Sequence, residues 1–503
     1  MNTEAANENV GMKPKENHLI EEAILPVWFN QRTITFLGFI AIWVGMAVII
    51  ATFSLGASGA AGMPLERVLL TIFLANLTLG IVMTLTADIG TEHGLSFAVS
   101  LRAPFGVYGT HIPAVSRGIV AAIWFGIQTY LGALALNGIF EYLTGFSSWA
   151  VWYGIFAVVQ IINTAYGIRA VKTLANLATP IIIAISIWMY MSLDDLATLK
   201  GLNIWSYEGK GDIAFLTLFV ANMSFWSALA VDIPNLTRFL KTDGGKSFFK
   251  RNKNVFVAQF LALPLTQTWI ALIGAVSFIT TGDWNPVNVI QHQEAGQGVG
   301  LVILLVMVVL AQWSTNNSAN LIPAALTFIN AAAPKMNYKT GVVLAGVVGT
   351  LAMPWLILNN LFTFLSYYGA ILSAIAAIII ADYYVLRKRR LNVPDLYKKD
   401  GQFFYTNGFN PAAYIAWIGG GGLALYNLEY AYLVGFPSAF ILYILLMKVW
   451  IIPSYEQKEI SSQYSESYLA TSVGVNWVLD TNQNIVRKSN KELVAVSVER
   501  EDL

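Results

Sequence analysis

The sequence predicts an all-α membrane protein with twelve transmembrane helices, and three observations carry that reading. Only 12% of the 503 residues are charged and 56% are hydrophobic, whereas soluble domains carry roughly 25% charged residues. With a mean hydropathy of +0.59, most of the surface does not face water. Stretches of about 20 mostly apolar residues, the length that spans a bilayer, recur along nearly the whole chain. The basic residues then fall almost entirely on one side of the map that these stretches draw.

The first six segments lie near Thr33–Leu55, Leu65–Ala87, Val115–Leu143, Trp149–Tyr166, Leu174–Leu193 and Ala214–Ala230. The second six lie near Val255–Thr280, Gly298–Asn330, Gly341–Leu358, Leu361–Leu386, Pro411–Leu428 and Tyr432–Ile452. With the N-terminus inside and the sides alternating, only Arg67, Lys200 and Lys210 of the 30 lysines and arginines fall outside. Retained positive charge sets orientation, so this asymmetry predicts a multi-pass protein of the inner or plasma membrane with both termini cytoplasmic. The polar segment 1–31 lacks a basic start, short apolar core and cleavage site, so it reads as a cytoplasmic tail rather than a signal peptide. Residues 32–452 form the membrane domain. Residues 453–503 are too few for a sizeable core and read as a poorly packed cytoplasmic tail, with an interaction segment as the alternative.

Composition excludes several function classes. No cysteine is present, which removes disulfides, thiolate metal sites and cysteine nucleophiles. The four histidines show no metal-ligand spacing, and no nucleophile elbow, zinc-protease or phosphate-loop motif occurs. A net charge of +1 offers nothing to a nucleic acid. A membrane-embedded enzyme would need a catalytic constellation that the sequence does not contain, and a channel would need a continuous polar path. Transport is the class that remains.

Polar residues inside a bilayer are costly and mark function, and they concentrate in a few segments. In the third, Trp124 and Gln128 are four residues apart and share a helical face. An indole offers a flat surface and a Gln amide offers both a donor and an acceptor, which suits a planar, amide-containing ligand. The alternative is a packed Trp with the Gln bonded to a neighbouring helix. The sixth segment contains Asn222, Ser224, Phe225, Trp226 and Ser227. This is either an unwound stretch lining a cavity or a continuous helix whose hydroxyls bond back to their own carbonyls.

The eighth segment carries the densest polar run, Gln312 to Asn320. Ser314 and Thr315 lie three and four residues after Ala311 and share its face, so two hydroxyls plus backbone carbonyls could form an oxygen-only shell for a hard monovalent cation. Interhelical hydrogen bonding is the alternative. In the first segment, Gly45 permits either a helix break that frees carbonyls or close helix packing. Asp88, Asp232 and Asp382 sit at predicted helix ends, and no carboxylate falls near a midplane. Proton carriers often use a buried carboxylate relay, so the coupling ion is expected to be a metal cation, with a proton as the alternative.

These positions also carry a family resemblance. Ile42-Trp43, Trp124-Phe125-Gly126-Ile127-Gln128-Thr129, Asn285-Pro286, Trp313-Ser314-Thr315-Asn316, Ala319-Asn320-Leu321, Lys339-Thr340-Gly341-Val342, Met353-Pro354-Trp355, Asp382-Tyr383 and Asp395-Leu396-Tyr397 together resemble the nucleobase–cation symporter family, most closely its bacterial hydantoin transporter branch. The resemblance runs from about Arg32 to Ile452. It implies two five-helix inverted repeats plus two extra helices, with the first and sixth helices broken near the midplane and substrate and sodium bound there.

By motif position, Trp124 is implied as the stacking residue and Gln128 and Asn320 as hydrogen-bonding partners. Phe225 and Trp226 supply further aromatic contacts, with Ile49 beside the site and Leu365 as a hydrophobic gate. The implied cation ligands are the side chains of Ser314 and Thr315 with the carbonyls of Gly45, Val48 and Ala311. The implied activity is import of a small planar nitrogen heterocycle by a monomeric, sodium-coupled symporter that needs no cofactor. Ile49 stands where the hydantoin branch has a polar amide. Ile233–Phe239 resembles the allantoin and nucleobase branches instead, so the heterocycle stays open among these classes.

Overall fold

The computed structural model describes residues 18–209, 211, 213–245, 247–291, 298–357, 361–462 and 465–493. Lys13, Lys15, Lys210 and the outer parts of both tails lie outside the described residues. Every predicted segment has a helical counterpart. The first divides into α1 (Phe36–Ala47) and α2 (Ile50–Gly62), bent by 57° at the junction. There follow α3 (Leu65–His93), α4 (His111–Thr144), α5 (Trp149–Ala165), α6 (Ile168–Leu199) and α7 (Phe215–Asp232). The second half contributes α8 (Lys253–Thr281), α9 (Val299–Ala332), α10 (Tyr338–Leu351), α11 (Thr363–Leu386), α12 (Pro411–Tyr426) and α13 (Leu428–Ser454). Among the described residues, eight of these helices are long and apolar enough to cross a membrane singly, and the α1–α2 pair does so as a bent span.

The helices sort into two packed groups. In one, α2 lies on α8, and α3 lies on both α7 and α8. In the other, α4 packs against α5, α9 and α10. The long α6 touches α1, α8 and α9 and so links the groups, while α11 leans on α7 and is backed by α12 and α13. Glycines allow the tightest approach: a Cβ on Gly56 would come within 1.9 Å of Ala271 O, so α2 and α8 meet backbone to backbone.

The sixth segment departs from the expectation of a break, because α7 runs uninterrupted over Phe215–Asp232. Its polar side chains are satisfied without freeing the backbone. Ser227 Oγ donates to Ser224 O at 2.8 Å, and Asn222 Nδ2 donates to Asn76 Oδ1 on α3 at 2.9 Å.

The C-terminal tail also departs from expectation, since it is packed. An antiparallel hairpin, β1 (Val475–Leu479) with β2 (Ile485–Ser489), buries Trp477 and Val478. The tail is too short to build its own core and borrows one from the end of α3. Glu92 there accepts from Ala470 N at 2.8 Å and Ser472 Oγ at 2.6 Å. Asn476 Oδ1 accepts from Phe29 N at 2.8 Å, so the two described chain ends meet on one face. Farther along, Arg387 is fully buried between Asp382, 2.7 Å from its Nε, and the tail residue Glu459. Removing one member of a buried pair leaves the other charge uncompensated, at a cost of about 3–5 kcal/mol. Glu459→Ala should therefore lower the thermal unfolding midpoint in detergent far more than substitution of the exposed Lys458, as read by a melting curve on the purified protein.

Candidate functional site

The α1–α2 junction shows how a site is opened in an apolar helix. In a regular helix Ile49 N–H would bond Gly45 O, and Thr52 N–H would bond Val48 O. Here Ile49 N donates to Ala47 O at 3.2 Å and Thr52 N to Ile49 O at 2.9 Å. The carbonyls of Gly45 and Val48 are thereby released from the ladder. Val48 takes φ −88°, ψ 80°, outside the helical region.

Helix α9 meets this junction from the other group. Thr315 Oγ1 donates to Gly45 O at 2.7 Å and lies 2.9 Å from Ala311 O. Ser314 is equally close: a Cβ on Gly45 would fall 2.7 Å from Ser314 Oγ. Any side chain at position 45 would separate α1 from α9. Three oxygens from Gly45, Ala311 and Thr315 converge with a single hydroxyl proton among them, an acceptor-rich arrangement of neutral oxygens suited to a hard cation. Among the described residues no group of three or more His, Cys, Asp or Glu side chains could hold a metal.

Beside these oxygens lies a cavity of about 40 Å³. Its walls include Met46 and Ile49 from the junction, Trp124 and Gln128 from α4, Phe225 and Trp226 from α7, and Thr315 and Asn320 from α9. Thr315 thus belongs to both the oxygen cluster and the cavity wall. The rings of Trp124 and Phe225 are 5.9 Å apart and those of Phe225 and Trp226 5.1 Å, both edge to face. A volume of about 40 Å³ leaves room for water but not for a ring-sized ligand in this arrangement.

The polar groups of the cavity are held in defined states. Around Asn316, α9 widens into a π-helical turn, Asn316–Leu321, a geometry that recurs at functional sites. Asn316 Nδ2 donates to Phe125 O at 3.0 Å and Gln160 Oε1 at 2.8 Å, while its Oδ1 accepts from Asn320 Nδ2 at 2.7 Å. One N–H of the Asn320 amide is therefore committed, and its second N–H and its carbonyl oxygen remain for a partner. Gln128 is 3% exposed, and its Oε1 has no protein donor. Trp226 Nε1 donates to Gln267 Oε1 at 2.7 Å, and Gln267 Nε2 donates to Asn222 Oδ1 at 2.9 Å. This chain turns the indole N–H away from the cavity and presents the ring.

The structure thus brings together Ile49, Trp124, Gln128, Phe225, Trp226 and Asn320 at one cavity, and Gly45, Ala311, Ser314 and Thr315 at the adjoining junction. Val48 sits at the break itself with its carbonyl released. Leu365 is buried on α11 but is not part of the cavity wall. Its neighbour Phe364 instead brings a ring within 6.4 Å of Trp124. The sequence reading missed Arg117, which lines the cavity, and the amide chain behind Trp226. The signal for Arg117 is its spacing. It precedes Trp124 by seven residues and Gln128 by eleven, which places all three on one face of α4.

Residues 26–445 match the sequence family described as permease for cytosine/purines, uracil, thiamine, allantoin. The chain belongs to this family. It is 30% identical to a hydantoin permease of Microbacterium maritypicum, across 90% of this chain and 93% of that relative. An allantoin permease of Bacillus subtilis is 28% identical, with 87% and 96% covered. Among solved structures it resembles a nucleobase–cation symport family transporter in a closed conformation with bromovinylhydantoin bound. That TM-score is 0.83 at 29% identity, covering 90% of this chain and 99% of that one. The inward-facing form of that transporter matches with a TM-score of 0.79. The permease is therefore an integral membrane protein with the all-α fold of this transporter.

The amide chain generates a test within this permease. Gln267→Leu removes the acceptor of the buried Trp226 N–H and the donor to Asn222. Each unsatisfied buried group costs about 1–3 kcal/mol. The variant should melt at a lower temperature than the parent and show a shifted tryptophan emission maximum, whereas Asn482→Leu, in the exposed turn of the tail hairpin, should do neither.

Proposed function

We propose that this permease is a cation-coupled symporter that imports a small planar nitrogen heterocycle, with sodium as the coupling ion. The substrate class is a hydantoin, allantoin or nucleobase type ring, moved by alternating access across the plasma membrane with both termini in the cytoplasm. The single observation that carries the reading is the shared wall at Thr315. The aromatic cavity and the oxygen cluster are adjoining halves of one site, so occupation of one bears on the other. The relatives support the substrate class, since named members are permeases for hydantoin, allantoin, purines and uracil.

Recognition follows from the state of each polar group. Trp124 supplies the stacking face, with Phe225 and Trp226 as aromatic walls and Ile49 as the apolar floor. Asn320 offers its carbonyl oxygen and one remaining N–H, so it can pair with a ring N–H or a ring C=O. Gln128, with an amide free to pair, matches the adjacent C=O and N–H of a lactam edge. Leu365, next to Phe364, stands as the hydrophobic gate on α11. The carbonyls of Gly45, Val48 and Ala311 with the hydroxyls of Ser314 and Thr315 hold the cation, which is cargo and not a resident cofactor. All five ligands are neutral oxygens, which favours a monovalent ion over a divalent one. The permease works as a monomer, since the cavity is complete within one chain.

Two experiments test these roles. Losing one buried hydrogen bond costs about 1–3 kcal/mol, or roughly 5- to 150-fold in affinity. Gln128→Ala and Asn320→Ala should each weaken binding within that range, by tryptophan fluorescence titration across hydantoins, allantoin, uracil and hypoxanthine. Unchanged affinity and selectivity in both variants would remove these residues from the site. Ser314→Ala combined with Thr315→Ala deletes two oxygen ligands, so uptake into proteoliposomes should lose its dependence on an imposed sodium gradient. Uptake by the parent that follows a proton gradient and ignores sodium would replace the coupling ion.

A further inference from the structure

Among the described residues, Arg117 is the one charged side chain in the cavity wall. It is 1% exposed, as is Asp232 at the end of α7. Its Nε donates to Ala228 O at 3.0 Å, its Nη2 donates to Ala319 O at 3.1 Å, and Nη2 lies 3.0 Å from Asp232 Oδ2. Ala228 stands two residues beyond Trp226, and Ala319 immediately precedes Asn320. One guanidinium therefore fixes the backbone next to two walls of the cavity. It also spans the two helix groups, joining α4 and α9 on one side to α7 on the other.

Its place in the fold is equally specific. A cavity of about 780 Å³ opens on the face that carries both chain ends, lined among others by Trp28, Arg238, Ile322 and Tyr338. Ile322 follows Ala319 by three residues on α9, and Arg238 follows Asp232 by six. Along the chain, Asp232 at the end of α7 thus falls between Leu229 of the small cavity and Arg238 of this vestibule, with Arg117 beside it. Burial lowers the Arg238 pKa to about 10, so its guanidinium stays charged at neutral pH, and Lys339, Glu21 and Glu22 share the vestibule wall with it.

A buried ion pair is a weak source of stability, because an apolar pair of similar volume often serves as well. This pair is also under-bonded: Arg117 Nη1 and Asp232 Oδ1 have no protein partner. A fully satisfied network would resist separation, whereas this one can part at lower cost. One related transporter has both a closed and an inward-facing structure, and both match the chain.

We propose that Arg117 is a positioning residue and, with Asp232, the inner latch of the cavity. Closed, the pair sets Trp226 and Asn320 around the ligand and bars the path to the vestibule. Parted, it lets α7 move away from α4 and α9 and releases the ligand inward. The inference rests on the transport reading above for the identity of the ligand, but the barrier itself can be measured without one.

The chain has no cysteine, so a single introduced one reports alone. Leu229 lines the cavity, and the Leu229→Cys variant is treated with a membrane-impermeant maleimide from either face of oriented vesicles. In that background Arg117→Gln or Asp232→Asn should raise the labelling rate from the vestibule face about tenfold or more, the factor expected for losing one charge-assisted hydrogen bond. Labelling from the opposite face should not rise. Arg117→Lys keeps the charge but cannot bridge two carbonyls and a carboxylate at once, so it should fall between parent and Gln. If the neutral variants do not fold, Arg117→Lys decides alone, and labelling identical to the parent overturns the latch. Unchanged labelling in the neutral variants also overturns it, as does an equal rise from both faces, which marks a general structural role. If no heterocycle protects the introduced thiol in the otherwise unmodified chain, the substrate reading fails while the latch still stands or falls on the labelling rates.

Discussion

A backbone carbonyl released inside a bilayer has no water to turn to, so each one needs another partner. The rest of the site depends on how this constraint is met at residues 45–49. The bend between α1 and α2 releases Gly45 O and Val48 O, and α9 answers with Thr315 Oγ1 at 2.7 Å from the first. The absence of a side chain at Gly45 is what lets α9 come that close, since a Cβ there would strike Ser314 Oγ. The same bend turns Met46 and Ile49 into the cavity wall. A single local irregularity thereby creates an oxygen cluster and one side of an aromatic pocket, and Thr315 ties them together.

The other walls are rigid for a different reason. Asn320 is fixed through Asn316 to α4 and α5. Trp226 is fixed through Gln267 and Asn222 to α8 and α3. One wall therefore moves with each helix group, and the cavity lies at the seam. Relative motion of the groups changes the distance between the two walls without disturbing either set of hydrogen bonds. That is a physical route from helix packing to a change in cavity size, with the polar groups of both walls already set by their own hydrogen bonds.

Much of this was legible in the residues. Apolar length located the long helices, because within a single segment only a helix satisfies its own backbone across a membrane, whereas short helices such as Phe97–Ser100 and Arg102–Phe105 carry no such signal. The polar run from Gln312 to Asn320 stood out since each of its members is costly in lipid, and the shared face of Trp124 and Gln128 follows from helical spacing alone. The role of Gly45 was ambiguous, because glycine serves a bend and a close contact equally well; here it makes the close contact with α9, and the bend falls at Val48 and Ile49. The sixth helix looked breakable, yet its amide and hydroxyl groups found partners on α3 and in their own turn. Arg117 was hidden by its company: near a helix start it read as one more inward-facing basic residue, and only its phase with Trp124 and Gln128 marked it. The packed tail was not readable, since its partners Glu92 and His93 lie some 380 residues earlier in the chain.

The central claim is that the oxygen cluster and the aromatic cavity are two halves of one site. Binding free energies are reciprocal, so the claim has a quantitative consequence that does not depend on knowing the full transport cycle. The measurement is a pair of calorimetric titrations on the unmodified protein at fixed ionic strength and pH, with heterocycle titrated at several sodium concentrations and sodium titrated with and without heterocycle. A shared site requires sodium to raise heterocycle affinity by the same factor by which heterocycle raises sodium affinity. Two affinities that each ignore the other ligand would contradict it.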